Sequence, residues 1–194
     1  MKVNQEPCLA APGAGLPALE LLIGQSLFAL KRLCGGRKTF RAGFCEERAR
    51  IRHLVDGCGE ADREKRVLIA RLRGLEDSSR HWSVWMTLDH LRITNEAFAR
   101  IIRDLTQGIM PGGKASTAAV KPSSSVTTAI EAAYESSCDE LLATVDTAAN
   151  LKTRLRYAHP WFGPLNASGW QALAGMHMGI HRAQIESIIA GGRE

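Results

Sequence analysis

Residues 159–185, HPWFGPLNASGWQALAGMHMGIHRAQI, contain the clearest structural signal in the chain. The first part is rich in proline, glycine and aromatic residues, which predicts a loop rather than a helix. Asn166 or Ser168 can then cap a helix, and Ser168 with Gln171 three positions later matches a capping box. We therefore predict a final helix over residues 167–190.

Two histidines of this predicted helix, His177 and His181, are four residues apart. Side chains with this spacing lie on one helix face, about 5–6 Å apart at Cβ, which is close enough to share one metal ion. They belong to an apolar stripe, so we expect both imidazoles to face the interior, where polar groups need partners. The pair therefore predicts either half of a metal site or two histidines that each hydrogen-bond to a neighbour.

A metal site needs a third ligand from elsewhere in the chain. His90 lies at the edge of an apolar stripe in a helix predicted over residues 82–107, so it can face the interior if the two helices are neighbours. His53 lies on a charged helix face, and His81 and His159 lie at or outside helix ends. These three are poorer candidates than His90.

Apolar residues recur at helical spacing in several further segments. The complete set of predicted helices is 16–33, 44–76, 82–107, 126–150 and 167–190. The apolar phase of 44–76 continues across Gly57 and Gly59, so we favour one long helix there over two. Residues 108–125 are rich in Gly, Pro, Ser and Thr, which predicts a long crossover or a mobile loop.

No segment shows the alternation of a convincing β-strand, so the predicted fold is all-α: a four-helix bundle with an additional N-terminal helix. A chain of 194 residues favours one compact domain. We expect a flexible lead-in over residues 1–15, an N-terminal helix and basic linker over 16–43, and the bundle over 44–194.

Composition indicates a folded protein of a reducing compartment. The chain is 45% hydrophobic and 23% charged, which excludes a disordered or collagen-like class. The longest stretch without Asp, Glu, Lys or Arg, residues 157–181, contains two prolines and three histidines, so no transmembrane segment is predicted. The N-terminus does not resemble a secretory signal, and the five cysteines form no Cys-x-x-Cys pair. We therefore expect a cytoplasmic protein.

Positive charge is concentrated in one part of the chain. The net charge is +5, while residues 31–73 contain thirteen Lys or Arg and six Asp or Glu residues. No zinc finger, helix-turn-helix pattern or aromatic-interleaved basic motif accompanies this region, so nucleic acid is an unlikely partner. A solvated helix face is the ordinary interpretation, and an interaction module built on the basic N-terminal region is an alternative.

Two motifs together resemble a known family. Residues 81–91, HWSVWMTLDHL, are similar to the opening of the second helix in the DinB-like (YfiT-like) superfamily, and residues 159–185 are similar to its fourth-helix signature. The resemblance covers about residues 45–190. It implies a four-helix bundle in which three histidines bind a divalent metal, and the matching positions here are His90, His177 and His181.

The resemblance also implies a type of chemistry. Members with assigned activities are mostly metal-dependent transferases or isomerases that use low-molecular-weight thiols such as bacillithiol, mycothiol or glutathione. This sequence departs from the pattern at Met86, where relatives often have a polar residue, commonly glutamate. Independently, three neutral imidazoles leave a divalent ion its full charge and open positions, so it can activate a thiol or water as a Lewis acid.

We therefore predict a divalent-metal protein binding Zn, Ni or Fe, and a thiol-dependent transferase or a hydrolase acting on a small-molecule substrate. The alternative is a non-enzymatic protein that binds a metal or a stress-related ligand. Trp161, Phe162 and Trp170 are candidate substrate-binding residues, with core packing as the alternative. No general base is identified: the carboxylates on the bundle helices are better explained as solvated, namely Glu96, Glu131 and Glu135.

The N-terminal helix predicts a second copy of the chain as partner. Its apolar stripe has the width of an ordinary core-facing surface, and its polar face lacks the Lys/Arg enrichment of membrane-surface helices. A bundle closed by four other helices leaves it only an outer groove or a second subunit. We therefore expect it to pack across a homodimer interface.

Overall fold

The computed structural model describes residues 7–192, and residues 1–6 and 193–194, including the start of the predicted lead-in, lie outside the described part. Six α-helices are present in that part: α1 Ala18–Cys34, α2 Arg37–Asp56, α3 Glu60–Glu64, α4 Val84–Thr106, α5 Ile130–Thr147 and α6 Ala167–Gly191. α4 packs extensively against α5 and α6, and α2 packs against α6. The predicted four-helix bundle with an additional N-terminal helix is confirmed, with α2, α4, α5 and α6 as the bundle.

The two helices that carry the candidate ligands begin at side-chain caps. The Ser83 hydroxyl accepts a hydrogen bond from the Met86 backbone N–H at the start of α4. At the start of α6 the Asn166 side chain accepts one from the Gly169 N–H at 2.9 Å, which identifies Asn166 as the cap rather than Ser168. Both helices therefore lie within two residues of their predicted bounds.

The long helix predicted over residues 44–76 is wrong. α2 ends at Asp56, the five-residue helix α3 follows, and the rest of the segment is mostly irregular. Gly57 and Gly59 flank the break, and extended backbone at Gly59 starts a new helix rather than continuing the old one. Of the apolar series after the break, Cys58 and Leu75 are buried on non-helical backbone, whereas Leu68 is exposed, so the helical spacing of the series does not reflect a helix face.

The other end of α2 also differs from the prediction. Residues 37–43, expected as a basic linker, form its first two turns, because Phe40 and Phe44 lie one turn apart and are both buried. Gly175 of α6 lies at the contact between α2 and α6, where a Cβ would lie 3.4 Å from the Phe44 backbone nitrogen, an ordinary van der Waals distance. α2 is thereby held directly against the helix that carries two of the candidate ligands.

Most of the basic charge on α2 is paired within the chain. Arg41 forms an ion pair with Asp146, and Arg48 and Arg52 both pair with Glu135. The acidic partners lie on α5, so these pairs link α2 to α5 across the bundle surface. This arrangement favours a structural role for the basic region over a free basic surface.

Two short antiparallel sheets were not expected from the sequence. β1 (Val67–Leu68) pairs with β2 (His81–Trp82), and β3 (Tyr157–His159) pairs with β4 (Gly163–Leu165). Strands of two or three residues are too short for a periodic signal. The β3–β4 hairpin lies directly before α6, so it positions the aromatic residues of its turn near that helix.

α1 lies against α6 and the β3–β4 hairpin. Phe28 is its buried residue, and the Phe28 and Phe162 ring centroids are 4.6 Å apart. Much of the apolar stripe remains exposed within one chain, with exposed fractions of 52–83% for Leu19, Leu22, Ile23, Leu27, Leu30 and Leu33. No helix within residues 7–192 combines the length and hydropathy needed to cross a bilayer.

The connection between α4 and α5 is long and mostly irregular, as predicted for residues 108–125. It contains a single 3-10 turn, Ala118–Val120. Lys121 joins this connection to the loop before α4 by an ion pair with Glu76 at 2.7 Å. The connection therefore crosses one end of the bundle at a defined position, close to the start of α4.

Candidate metal centre

The three predicted ligands come together between α4 and α6. One ring nitrogen from each of His90, His177 and His181 lies within 4.8 Å of the others. The His90 and His177 Nε2 atoms are 3.1 Å apart. The helical spacing places His177 and His181 on one face of α6, and the contact of α4 with α6 supplies the third imidazole.

A hydrogen bond at Nδ1, the ring nitrogen that faces away from the other two histidines, sets the orientation of His90. Its Nδ1 lies 2.6 Å from the Val120 carbonyl oxygen, which can only accept, so Nδ1 carries the proton. The Nε2 lone pair is then free and faces the other imidazoles. A carbonyl partner of this kind is the usual support for a histidine that ligates a metal.

The Gln184 side chain fixes His181 in the same way. Its amide nitrogen donates to the Ser79 carbonyl at 2.7 Å, so the other amide atom must be the oxygen. That oxygen lies 2.6 Å from His181 Nδ1, which therefore donates, leaving the Nε2 lone pair free. A backbone carbonyl thus determines, through one amide, which nitrogen of His181 can bind a cation.

Burial keeps all three imidazoles neutral. It lowers the pKa of His90 to about 4, with the nearby charge of Lys121 acting in the same direction and the Val120 hydrogen bond opposing it. Burial, and then the neighbouring imidazoles, hold the pKa of His177 well below its usual value. Burial and then His90 do the same for His181. Neutral imidazole is the form that binds metals.

This donor set fits a divalent transition metal. Two nitrogen ligands at about 2.0–2.1 Å from one tetrahedral ion lie roughly 3.3 Å apart, close to the 3.1 Å between the His90 and His177 Nε2 atoms. The buried His177 Nδ1 has no hydrogen-bond partner within the described residues, so the imidazole cluster is not a closed hydrogen-bond network. The part of the chain that the structure describes adds no fourth protein ligand to this group, and three imidazoles alone are typical of a site with an open position.

A cavity of about 800 Å³ reaches the histidine cluster. Its walls come from α1, α4, α6, the connection before α5 and the β3–β4 hairpin. Trp161, Phe162 and Trp170, the predicted substrate-binding residues, all line it. Trp170 is also buried, and its ring lies 5.5 Å from that of Phe98, so it has a packing role as well.

His159 is a fourth histidine beside the cavity. Its Nδ1 accepts a hydrogen bond from the Trp161 N–H at 3.1 Å, so the ring proton resides on Nε2. Burial lowers the pKa of His159 to about 4, which makes it a neutral hydrogen-bond donor. His159 does not belong to the set of histidines whose ring nitrogens lie within 4.8 Å of one another. The sequence likewise indicated that it is a poorer ligand candidate than His90.

The carboxylates on the bundle helices are engaged by arginines. Glu131 pairs with Arg63, Glu135 with Arg48, and Glu96, which lines the cavity, with Arg92. Asp89, adjacent to His90, is also buried and holds Arg92 and the Ser123 backbone N–H. Met86 is buried and outside the cavity lining. None of these side chains is therefore identified as a catalytic group; Asp104 of α4, which lines the cavity without an ion pair among the described residues, is the exception to this engagement.

Sequence reasoning missed the groups that orient the histidines. Gln184 is three residues after His181, a spacing that places both on one helix face and could have indicated the contact. Val120 acts through its backbone carbonyl, which has no side-chain signal.

Comparisons with known proteins agree with this architecture. A crystal structure described as TT2238, a four-helix bundle protein, is similar with a TM-score of 0.57 and 19% identity, covering 77% of this chain and 98% of that one. No curated protein matches the sequence significantly. The family model of the DinB superfamily matches residues 44–185, which include all three histidines. The chain therefore belongs to the DinB superfamily.

Proposed function

We propose that the protein is a divalent-metal-dependent enzyme that transfers a low-molecular-weight thiol to a small-molecule electrophile. The observation that carries this proposal is the convergence of three neutral imidazoles beside a cavity large enough for a substrate. His90, His177 and His181 would hold Zn, Ni or Fe. A metal held in this way supplies Lewis acidity, which lowers the pKa of a thiol that it binds.

The chain's own residues perform the positioning. Val120 and Gln184 fix the ring orientation of His90 and His181, so the nitrogen lone pairs need no rearrangement to bind a cation. His159 offers a neutral Nε2–H donor next to the site. The residues that line the cavity include no cysteine, so a sulfur nucleophile has to come from the substrate.

The alternative function is non-enzymatic binding of a metal or a stress-related ligand. The engagement of Glu96, Glu131 and Glu135 by arginines favours it, because these three carboxylates are then not free to act as an acid or base. Turnover distinguishes the two functions, since both require metal.

The test uses protein purified without a histidine tag and reconstituted with Zn²⁺, Ni²⁺ or Fe²⁺. Glutathione, bacillithiol and mycothiol are each offered with an alkyl halide and an epoxide, and thioether formation is followed by mass spectrometry. We expect turnover that requires metal and is lost in His177→Ala but retained in His53→Ala, an exposed histidine on α2. Metal-dependent stabilisation without turnover of any pair would support the alternative.

We also propose that the protein is a homodimer in the cytoplasm. All five cysteines are free thiols, which fits a reducing compartment. α1 exposes a row of large apolar side chains, and a second α1 offers a surface of the same length and chemistry. We expect the full chain to be dimeric by light scattering and Leu33→Asp, changed at an 83% exposed position, to be mainly monomeric. An unchanged dimer would exclude α1 as the interface.

A further inference from the structure

α1 forms one wall of the cavity that reaches the histidine cluster. Leu21, Ile23 and Leu27 of α1 line this cavity, together with Leu16 just before the helix. Helix α1 ends at Cys34, whereas the match to the DinB superfamily begins at residue 44. The wall is therefore a feature of this chain outside the region that defines its family.

Contacts at two points hold α1 across the cavity. Near its start, the Glu20 carboxylate accepts hydrogen bonds from the Gly74 N–H at 2.5 Å and the Arg71 guanidinium at 2.6 Å. Further along, the Gln25 amide donates to the Trp161 carbonyl at 2.7 Å. α1 thus connects the loop after β1 with the β3–β4 hairpin and covers one side of the space between them, which stays partly open to solvent.

The walls that face this partly open space are mainly apolar. α4 contributes Ile93, Ala97 and Ile101, which follow one another at four-residue intervals, and α6 contributes Met176 and Ile180 with the same spacing. Together with the leucines and isoleucine of α1, they form an apolar lining from three helices. A ligand that fills such a space gains free energy in proportion to its own apolar area.

Four cationic and four anionic side chains line the cavity, so its charge balance depends on which of them are paired. Among the described residues, three cations line the cavity without an ion pair: Arg73, Arg100 and Lys114. One lining carboxylate, that of Asp104, also has no ion pair there. Glu20, Glu76 and Glu96 line it as well, but they pair with Arg71, Lys121 and Arg92 respectively. The unpaired cations therefore outnumber the unpaired carboxylates.

We propose that this cavity takes an elongated apolar molecule that carries an anionic group, and that α1 determines its selectivity. The apolar part lies between α1, α4 and α6, and the anionic group meets one of Arg73, Arg100 and Lys114, which line the cavity from exposed positions on three different elements. The inference deepens the proposed function, because it names the substrate class of the same site. It does not depend on the metal, because the residues that carry it are not the three histidines, although both sets line the same cavity.

The first experiment measures chain-length dependence. Hexanoate, octanoate and decanoate are titrated into the full chain by calorimetry, once with chelator present and once after Zn²⁺ loading. We expect affinity to rise roughly three- to fourfold per methylene group, the value that corresponds to about 0.8 kcal/mol per buried CH₂ at 1.4 kcal/mol per tenfold. Decyltrimethylammonium, of comparable apolar length and opposite charge, should bind roughly tenfold more weakly than decanoate.

The second experiment tests the role of α1 with matched variants. Ile23→Asn combined with Leu27→Asn changes two residues that line the cavity, and we expect roughly tenfold weaker decanoate binding. Leu22→Asn combined with Leu33→Asn changes two residues of the same exposed row of α1 that do not line the cavity. Both variants therefore perturb the proposed dimer surface but only the first perturbs the lining, and for the second we expect affinity within about twofold of wild type. Circular dichroism checks that both variants are folded.

The outcomes separate this inference from the proposed function. Affinity independent of chain length, equal binding of the cationic probe, or equal losses in the two variants would overturn the inference even if metal-dependent turnover is found. Chain-length dependence in the metal-free protein, with no metal bound by the three histidines, would support it and refute the proposed function.

Discussion

The free energy of unfolding of the metal-free protein should fall between pH 7 and pH 5, and His90 should account for about 2 kcal/mol of that fall. Replacing His90 by leucine should therefore make the fall smaller by this amount. His90 is buried, and burial lowers its pKa from 6.5 to about 4. The unfolded chain therefore binds a proton between these values that the folded chain does not. Its contribution to stability is complete above about pH 6.5 and is lost progressively as the pH falls towards 4.

The magnitude follows from the two pKa values. A difference of 2.5 units corresponds to roughly 3 kcal/mol over the whole range, at about 1.4 kcal/mol per unit. Most of this loss, about 2 kcal/mol, falls between pH 7 and pH 5. Hydrogen-bonded carboxylates such as Glu76 and Asp146 have lowered pKa values, so their contributions are lost mainly below this range.

The assay is urea unfolding followed by tryptophan fluorescence at pH 7, 6 and 5, with a chelator present. The His90→Leu variant should show a smaller pH dependence than wild type, whatever its absolute stability. His53→Leu, at an exposed position of α2, should retain the wild-type dependence. Equal pH dependence in wild type and His90→Leu would refute the description of His90 as a buried neutral imidazole.

Two further predictions concern Gln184, which orients His181, and the ion pair of Glu76 with Lys121, which joins two loops. Gln184→Leu removes the amide that orients His181, so zinc affinity measured by calorimetry should fall roughly 10- to 100-fold, whereas Gln107→Leu at an exposed position should leave it unchanged. Glu76→Gln weakens the buried pair with Lys121 and should lower the free energy of unfolding by roughly 1–3 kcal/mol, but Glu140→Gln, in an exposed pair, by less than about 1 kcal/mol. A larger effect at Glu140 than at Glu76, or unchanged zinc affinity in Gln184→Leu, would contradict these assignments.

The helices that carry the candidate ligands could be predicted from the sequence because several signals coincide there. α4 and α6 combine long apolar periodicity with a capping residue, Ser83 and Asn166 respectively. The four-residue spacing of His177 and His181 then fixes a shared helix face. Spacing alone left two interpretations open, and only packing of α4 against α6 brings His90 to the pair.

The failures have physical causes. The spacing of apolar residues carries no information about which backbone groups are hydrogen-bonded in a helix. It therefore could not reveal that α2 ends before Gly57. Phe40, buried one turn before Phe44, marks an earlier start of α2 than was predicted. The Val120 carbonyl that orients His90 reaches it through a long loop, and the position of such a loop depends on tertiary contacts such as Lys121 with Glu76.

The assignment of a metal centre, and with it the proposed function, depends most directly on metal binding by the three histidines. Elemental analysis of protein purified without a histidine tag and reconstituted with Zn²⁺ compares wild type with a variant in which His90, His177 and His181 are all alanine. We expect stoichiometric metal in wild type and in His53→Ala, the control at an exposed position. We expect none in the triple variant. Stoichiometric metal in the triple variant would contradict the assignment.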